Sequence, residues 1–147
     1  MTDKWEFVAH IPLKPRPKQR PRIGKHGAFT PKETLSAERQ LLAAIIAHGA
    51  RKFNKPVVVE IECLFQKPIK VTNPLPRTDV DNCAKLCLDA LQPTIIADDT
   101  LVQALLVSKR YATHDGYIIK IRYADFSKHL LEVQKCAKDW EYGNAKP

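Results

Sequence analysis

Arg77-Thr78-Asp79-Val80-Asp81-Asn82-Cys83-Ala84-Lys85, followed downstream by Ala97-Asp98-Asp99-Thr100, gathers acids in a chain whose net charge is +8. Asp79 and Asp81 are two apart, so on extended backbone their carboxylates point the same way. Three carboxylates within about 4 Å of one another would repel by roughly 4 kcal/mol per pair at an effective dielectric near 20. Something must neutralise them. Hard oxygen ligands with no His or Cys pair beside them suit Mg²⁺, with Mn²⁺ as a substitute, rather than zinc. The competing account makes Asp79 and Asp81 a turn plus a helix cap, and Asp98-Asp99 a polar turn before a strand. Spacing alone leaves the two accounts level.

The elements around these acids follow from local pattern. Asp81 followed by Asn82 is a good helix N-cap. Cys83, Ala84, Cys87, Leu88 and Leu91 then repeat apolar residues at helical spacing. Pro93 ends that helix near Leu91-Gln92, because proline disfavours helical geometry in the residue before it. Lys85 lies one turn in, beneath Asp81. As an exposed ion pair with Asp81 it would contribute only about 0.3–0.5 kcal/mol. The apolar run Ile95-Ile96-Ala97 delivers the second acidic pair, and either Asp98 or Asp99 could return beside Asp79 and Asp81.

A second unusual stretch runs from Pro12 to Lys32. It carries Lys14, Arg16, Lys18, Arg20, Arg22, Lys25 and Lys32 with no acid, and is punctuated by Pro12, Pro15, Pro17, Pro21 and Pro31. Prolines hold such a segment extended, keeping the cations apart. Gly24 and Gly27 flank Lys25-His26 as a tight turn, and Phe29 is close by. One sign of charge over seven side chains favours a phosphate-gripping arm over a solvated basic loop. If all seven neutralised phosphates, the salt slope would be roughly −6. The loop from Lys67 to Arg77 brings Lys67, Lys70 and Arg77 near the acids.

The remaining pattern supplies the scaffold. Lys4 to Ile11 alternates as a first strand, with Trp5, Phe7 and Ala9 opposed to Glu6, Val8 and His10. Thr30 to Lys32 leads into a helix marked by Leu35, Leu41, Leu42, Ile45 and Ile46, capped by Thr34 or Ser36 and stopped at Gly49. Pro56 to Gln66 alternates strongly as a half-wet strand. Leu101 to Tyr111 and Gly116 to Tyr123 read as two strands joined in a hairpin by Thr113-His114-Asp115-Gly116. A terminal helix is expected over 126–142. The order indicates an α+β domain over residues 1–124, a small mixed sheet with two helices on one face, and a C-terminal helical extension over 125–147.

Length and composition fit one globular domain: 147 residues, 44% hydrophobic and 27% charged. No apolar run approaches membrane-spanning length and the start lacks a leader pattern, so a cytoplasmic location is expected. Cys63, Cys83, Cys87 and Cys136 form no Cys-x-x-Cys pair and read as reduced thiols. The positive charge, with pI near 9.4, points to a polyanionic partner. No Gly-rich phosphate cradle and no Ser/His/Asp or Cys/His arrangement is present, so no small-molecule substrate is expected.

These motifs resemble the RusA family of Holliday junction resolvases, especially its phage-type members. The resemblance rests on Pro15-Arg16-Pro17-Lys18-Gln19-Arg20-Pro21-Arg22, Phe29-Thr30-Pro31-Lys32, Thr78-Asp79-Val80-Asp81-Asn82 with Lys85 and Asp89, and Asp98-Asp99, and spans most of Met1 to Tyr123. It implies a small α+β homodimer that binds four-way DNA junctions and cuts symmetrically related strands with Mg²⁺. It further implies Asp79, Asp81 and Asp99 as metal ligands and Lys85 as the assisting cation.

Overall fold

The computed structural model describes residues 4–125. Its elements are β1 (Phe7–Ile11), β2 (Arg22–Gly24), β3 (Gly27–Phe29), α1 (Lys32–Ala47), β4 (Val57–Gln66), α2 (Val80–Leu91), β5 (Val102–Ala112) and β6 (Gly116–Tyr123). A single 3-10 turn, Asp99–Leu101, precedes β5. The domain is α+β, as expected. The expected helix over 126–142, with Cys136, lies outside the described residues.

Alternation decides which strand faces are buried. Phe7, Ala9 and Ile11 of β1, Val57, Val59, Ile61, Cys63 and Phe65 of β4, and Tyr117, Ile119 and Ile121 of β6 line one face of a four-stranded sheet. Leu41 and Ile45 of α1 join them in one core with Cys83, Leu86, Cys87, Ala90 and Leu91 of α2. The other sheet face mixes charged pairs with the exposed apolar residues Val8 and Leu106: Lys120 pairs with Glu60 at 3.7 Å, Arg110 pairs with Glu62, and the Lys120 and Arg122 cations lie over the Trp5 ring.

The strand order is β1-β6-β4-β5, with β4 antiparallel to β6 and parallel to β5. This corrects the expected hairpin, since β4 lies between β5 and β6. Because α2 is the crossover from β4, β5 emerges parallel to it on the far side. The chain then steps across the end of β4: Lys67 N donates to Ala112 O at 2.9 Å, and Gln66 N to Asp115 Oδ1 at 2.8 Å. Asp115 therefore caps β4 instead of closing a two-strand turn. A Cβ on Gly116 would lie 3.0 Å from His10 Nε2 and 3.1 Å from Ile11 O, so the close approach of β1 favours glycine there.

Helix α1 also differs at its start. Pro31 occupies the cap position with no side-chain cap bond, whereas Thr34 is buried and accepts from Gln19 N at 3.4 Å. Proline pre-sets φ for helix entry, so no Thr34 or Ser36 cap is needed. Gly49, at φ +83°, ends the helix region with its N–H on Ile46 O, where a side chain would be strained. Cys63, Cys83 and Cys87 are buried free thiols.

Candidate active site

Helix α2 begins one residue before Asp81. Asp79 holds the cap position on extended backbone (φ −67°, ψ 126°), its carbonyl accepting from Cys83 N at 3.2 Å, while Asp81 falls in the first turn. The expected Asp81 cap is thereby corrected to Asp79. The Asp79 carboxylate does not cap the helix; among the described residues it accepts only from Asn82 Nδ2, at 3.4 Å. Both acids are exposed, and neither forms an ion pair among the described residues. The positive end of the α2 dipole favours their charge there.

What aims the pair is Lys109. Its ammonium donates to Pro76 O at 2.7 Å and Thr78 O at 2.9 Å, tying the approach to Asp79 down onto β5. Tyr111 OH, two residues on, donates to Leu75 O at 3.4 Å. The sequence pattern did not single out Lys109 as a site residue. Alternation carried the signal: Lys109 shares a face with Val107 and Tyr111 and sits in register with buried Cys63. The Cys83 thiol lies among these groups. Its hydrogen bond with Cys63 lowers it, burial opposes this, and the Lys109 charge lowers it against Asp79 and Asp81.

Lys85 pairs with Asp89 at 3.1 Å, one turn further along α2, and not with Asp81. Asp89 is shared. Lys18 inserts its ammonium between Asp89 and Glu38, the latter at 3.5 Å, and its backbone N–H donates to Asn82 O at 2.9 Å. Burial lowers the Lys18 ammonium, but the hydrogen bond and charge of Asp89, with Glu38, outweigh it and raise the group above its ordinary value. Lys18 thus staples the basic stretch to both helices.

Other cations of that stretch remain outward. Lys14, Arg16 and Arg77 line a cleft of about 600 Å³ with Lys67, Thr78 and Tyr111. Arg16 N donates to Tyr117 OH at 2.9 Å, fixing the stretch to the sheet. Burial raises the Tyr117 phenol, which stays protonated. The side-chain oxygen of Asn73, in the amide orientation that satisfies its neighbours, accepts from Arg77 Nε at 2.8 Å and Nη2 at 3.2 Å. Arg20, Arg22, Lys25 and Lys32 are exposed, the first three on or beside the β2–β3 hairpin and the last at the start of α1.

The second acidic pair is placed elsewhere. Ile95 and Ile96 fold back on Leu91, and Phe53 N donates to Ile95 O at 2.7 Å, so Asp98 and Asp99 sit at the C-terminal end of α2, beside the start of β5. Asp79 and Asp81 sit at its N-terminal end, level with Lys109. Asp98 accepts from Thr100 N at 2.9 Å, and the Thr100 hydrogen bonds hold its carboxyl below the usual range. Asp98 is therefore a turn cap, and Asp99, exposed, opens the 3-10 turn. Among the described residues no three His, Cys, Asp or Glu side chains converge as a metal cluster.

The described residues thus place two exposed carboxylates on a helix N-terminus, with a basic cleft reaching Thr78 next to them. No curated protein matches the chain. The family model described as Endodeoxyribonuclease RusA matches residues 12–122, which contain the basic stretch, the cleft, both acidic pairs and all of the sheet except β1 and the end of β6. That match covers most of the sequence, so the chain belongs to the RusA endodeoxyribonuclease family and is a DNA-cutting enzyme.

Proposed function

We propose that this nuclease resolves four-way DNA junctions in the cytosol by paired, symmetric nicks, as a Mg²⁺-dependent homodimer. One observation carries the reading: Asp79 and Asp81 stand exposed on the N-terminus of α2, held by the Lys109-anchored loop, beside the cleft of Lys14, Arg16, Lys67 and Arg77. The donor set fits the ion. Exposed carboxylates without imidazole or thiolate partners suit Mg²⁺, or Mn²⁺ in its place. When bound, the ion supplies Lewis acidity toward a phosphate and makes a water more acidic.

The chain's own residues do the rest. Asp79 and Asp81 would hold the ion at the cleft mouth. Lys14, Arg16 and Arg77 hold the phosphates of the scissile strand, and Lys85 offsets charge that develops on the phosphate. Asp99 is separated from the pair by the length of α2, so its place in the same metal site requires a second copy of the chain. A two-fold dimer meets the approximate two-fold symmetry of a four-way junction. Each of its two sites would combine Asp79 and Asp81 of one copy with the Asp99 side chain of the other.

The test is cleavage of a synthetic four-way junction with Mg²⁺, with EDTA, and by Asp81→Asn. Paired nicks that require both the ion and Asp81 support the reading. Tight binding without nicks under any divalent ion refutes it.

A further inference from the structure

The β2–β3 hairpin has no role in the site just described. It is short, Arg22–Gly24 against Gly27–Phe29, and all six strand residues are exposed. A two-stranded ribbon is marginally stable alone in water, so an exposed one invites a partner. Its base is pinned close to the acids: Lys18 N bonds Asn82 O in the first turn of α2, and Gln19 N bonds Thr34 Oγ1 where the chain returns. The ribbon therefore projects from the edge of the catalytic end.

Its two faces differ. On one, the Phe29 ring packs across the ribbon onto Gly24, where a Cβ would lie 3.2 Å from the ring. Phe29 is thereby used in stiffening the ribbon, and Gly27, at φ +106°, permits the turn at Lys25-His26. On the other face, opposite Ala28, Ile23 is 90% exposed. A β-branched side chain has few rotamers, so it is held out stiffly. The same stretch carries Arg20 and Lys25 on either side of Ile23 in sequence and Arg22 on the Phe29 face, with no acid between Pro12 and Lys32. An apolar point on a cationic ribbon matches unstacked bases framed by phosphates; apolar wedges inserted between base steps open DNA elsewhere by this chemistry. The positive charge argues against a second copy of this basic ribbon as its occupant.

We infer that the hairpin is a wedge, with Ile23 entering the branch point of the DNA substrate and separating the bases there while Arg22 and Lys25 hold the flanking phosphates. This rests on the junction-cutting reading. Ile46, half exposed on α1, is the comparison residue, because it lies on neither the hydrogen-bonded ribbon nor the basic cleft.

The experiment uses the full chain and a four-way junction carrying 2-aminopurine at the branch point, read by fluorescence in EDTA and by cleavage in Mg²⁺. With wild type, binding raises the branch-point signal. Ile23→Ser removes no charge, so its junction affinity stays within about threefold of wild type, whereas the fluorescence rise is lost and cleavage drops about tenfold. A junction with mismatched, already open branch-point bases restores Ile23→Ser cleavage to within about threefold of wild type, and Ile46→Ser keeps the fluorescence rise. An unchanged fluorescence rise in Ile23→Ser, or a cleavage loss that persists on the open junction, overturns the inference. So does a shift of Ile23→Ser to monomer in light scattering, which would assign the ribbon to a chain–chain contact. If wild type cuts neither junction, the nuclease reading fails, and the fluorescence arm still decides the wedge.

Discussion

Mixing two inactive variants distinguishes a metal site built within one chain from one shared between two. Helix α2 has 12 residues, which at about 1.5 Å per residue spans about 18 Å. Asp79 and Asp81 sit at one end and Asp99 at the other. Mg²⁺ holds its oxygen ligands at about 2.1 Å, so two ligand oxygens lie no more than about 4 Å apart. The intrachain separation exceeds this several-fold. Asp79→Asn and Asp99→Asn should each lose at least about a hundredfold in junction cleavage, equivalent to about 2.7 kcal/mol of transition-state stabilisation. In a shared-site dimer of one Asp79→Asn chain and one Asp99→Asn chain, one site carries both lesions and the other carries none. Random pairing makes about half the dimers mixed, so about a quarter of all sites are intact. Co-refolded variants should recover about that fraction of wild-type nicking, as single nicks and not paired ones. A mixture no more active than its components refutes the shared site.

Other consequences follow from particular contacts. Lys18→Met leaves Asp89 and Glu38, both largely buried, without the shared cation; unfolding by denaturant should show a loss of about 1–3 kcal/mol, below the full cost for a wholly buried pair. Since folding raises the Lys18 pKa, its stabilisation is complete below the ordinary lysine value of about 10.4 and is lost as pH climbs through the native value. Wild-type stability should therefore fall in that alkaline range more steeply than that of Lys18→Met. Lys109→Met frees the carbonyls of Pro76 and Thr78 and should cut the single-turnover rate about tenfold, with junction affinity within about threefold, because Asp79 loses its aim; equal loss in rate and affinity would contradict a positioning role. Gly116→Ala pushes a methyl group onto Ile11 O and the His10 ring and should lower stability by about 1–3 kcal/mol in thermal unfolding.

Sequence legibility tracked how local each signal was. The alternation of Phe7–Ile11 and Val57–Gln66 and the helical spacing of Cys83 to Leu91 were readable, since burial on one face writes a period into consecutive residues. The Asp115-Gly116 step misled. A turn signal reports a reversal but not which strand fills the space beside it, and here α2 had sent β5 to the far side of β4. Of the β2–β3 hairpin only the turn between Gly24 and Gly27 was legible, because three-residue strands exposed on both faces have no burial period. Of the candidate site, the closeness of Asp79 and Asp81 at the start of α2 was legible from spacing, whereas the cleft that joins Lys14 and Arg16 to Lys67 and Arg77 was not. The pair's separation from Asp99 was not legible either, since it depends on the full run of α2 and on the return of Ile95 and Ile96 against Leu91 and Phe53. Nor did charge type show that Lys18 serves inside the fold, which took the distant Asp89 and Glu38 to reveal.

The central claim, that Asp79 and Asp81 make this family member a metal-dependent junction nuclease, is tested most directly by the nicks it makes in a labelled four-way junction. Wild type with Mg²⁺ should yield nicks at two symmetry-related positions. EDTA should abolish them, and Asp81→Asn should bind the junction at least as tightly while leaving it uncut, because a negative charge beside the phosphates is gone. Nicking that persists in EDTA or in Asp81→Asn would contradict the account.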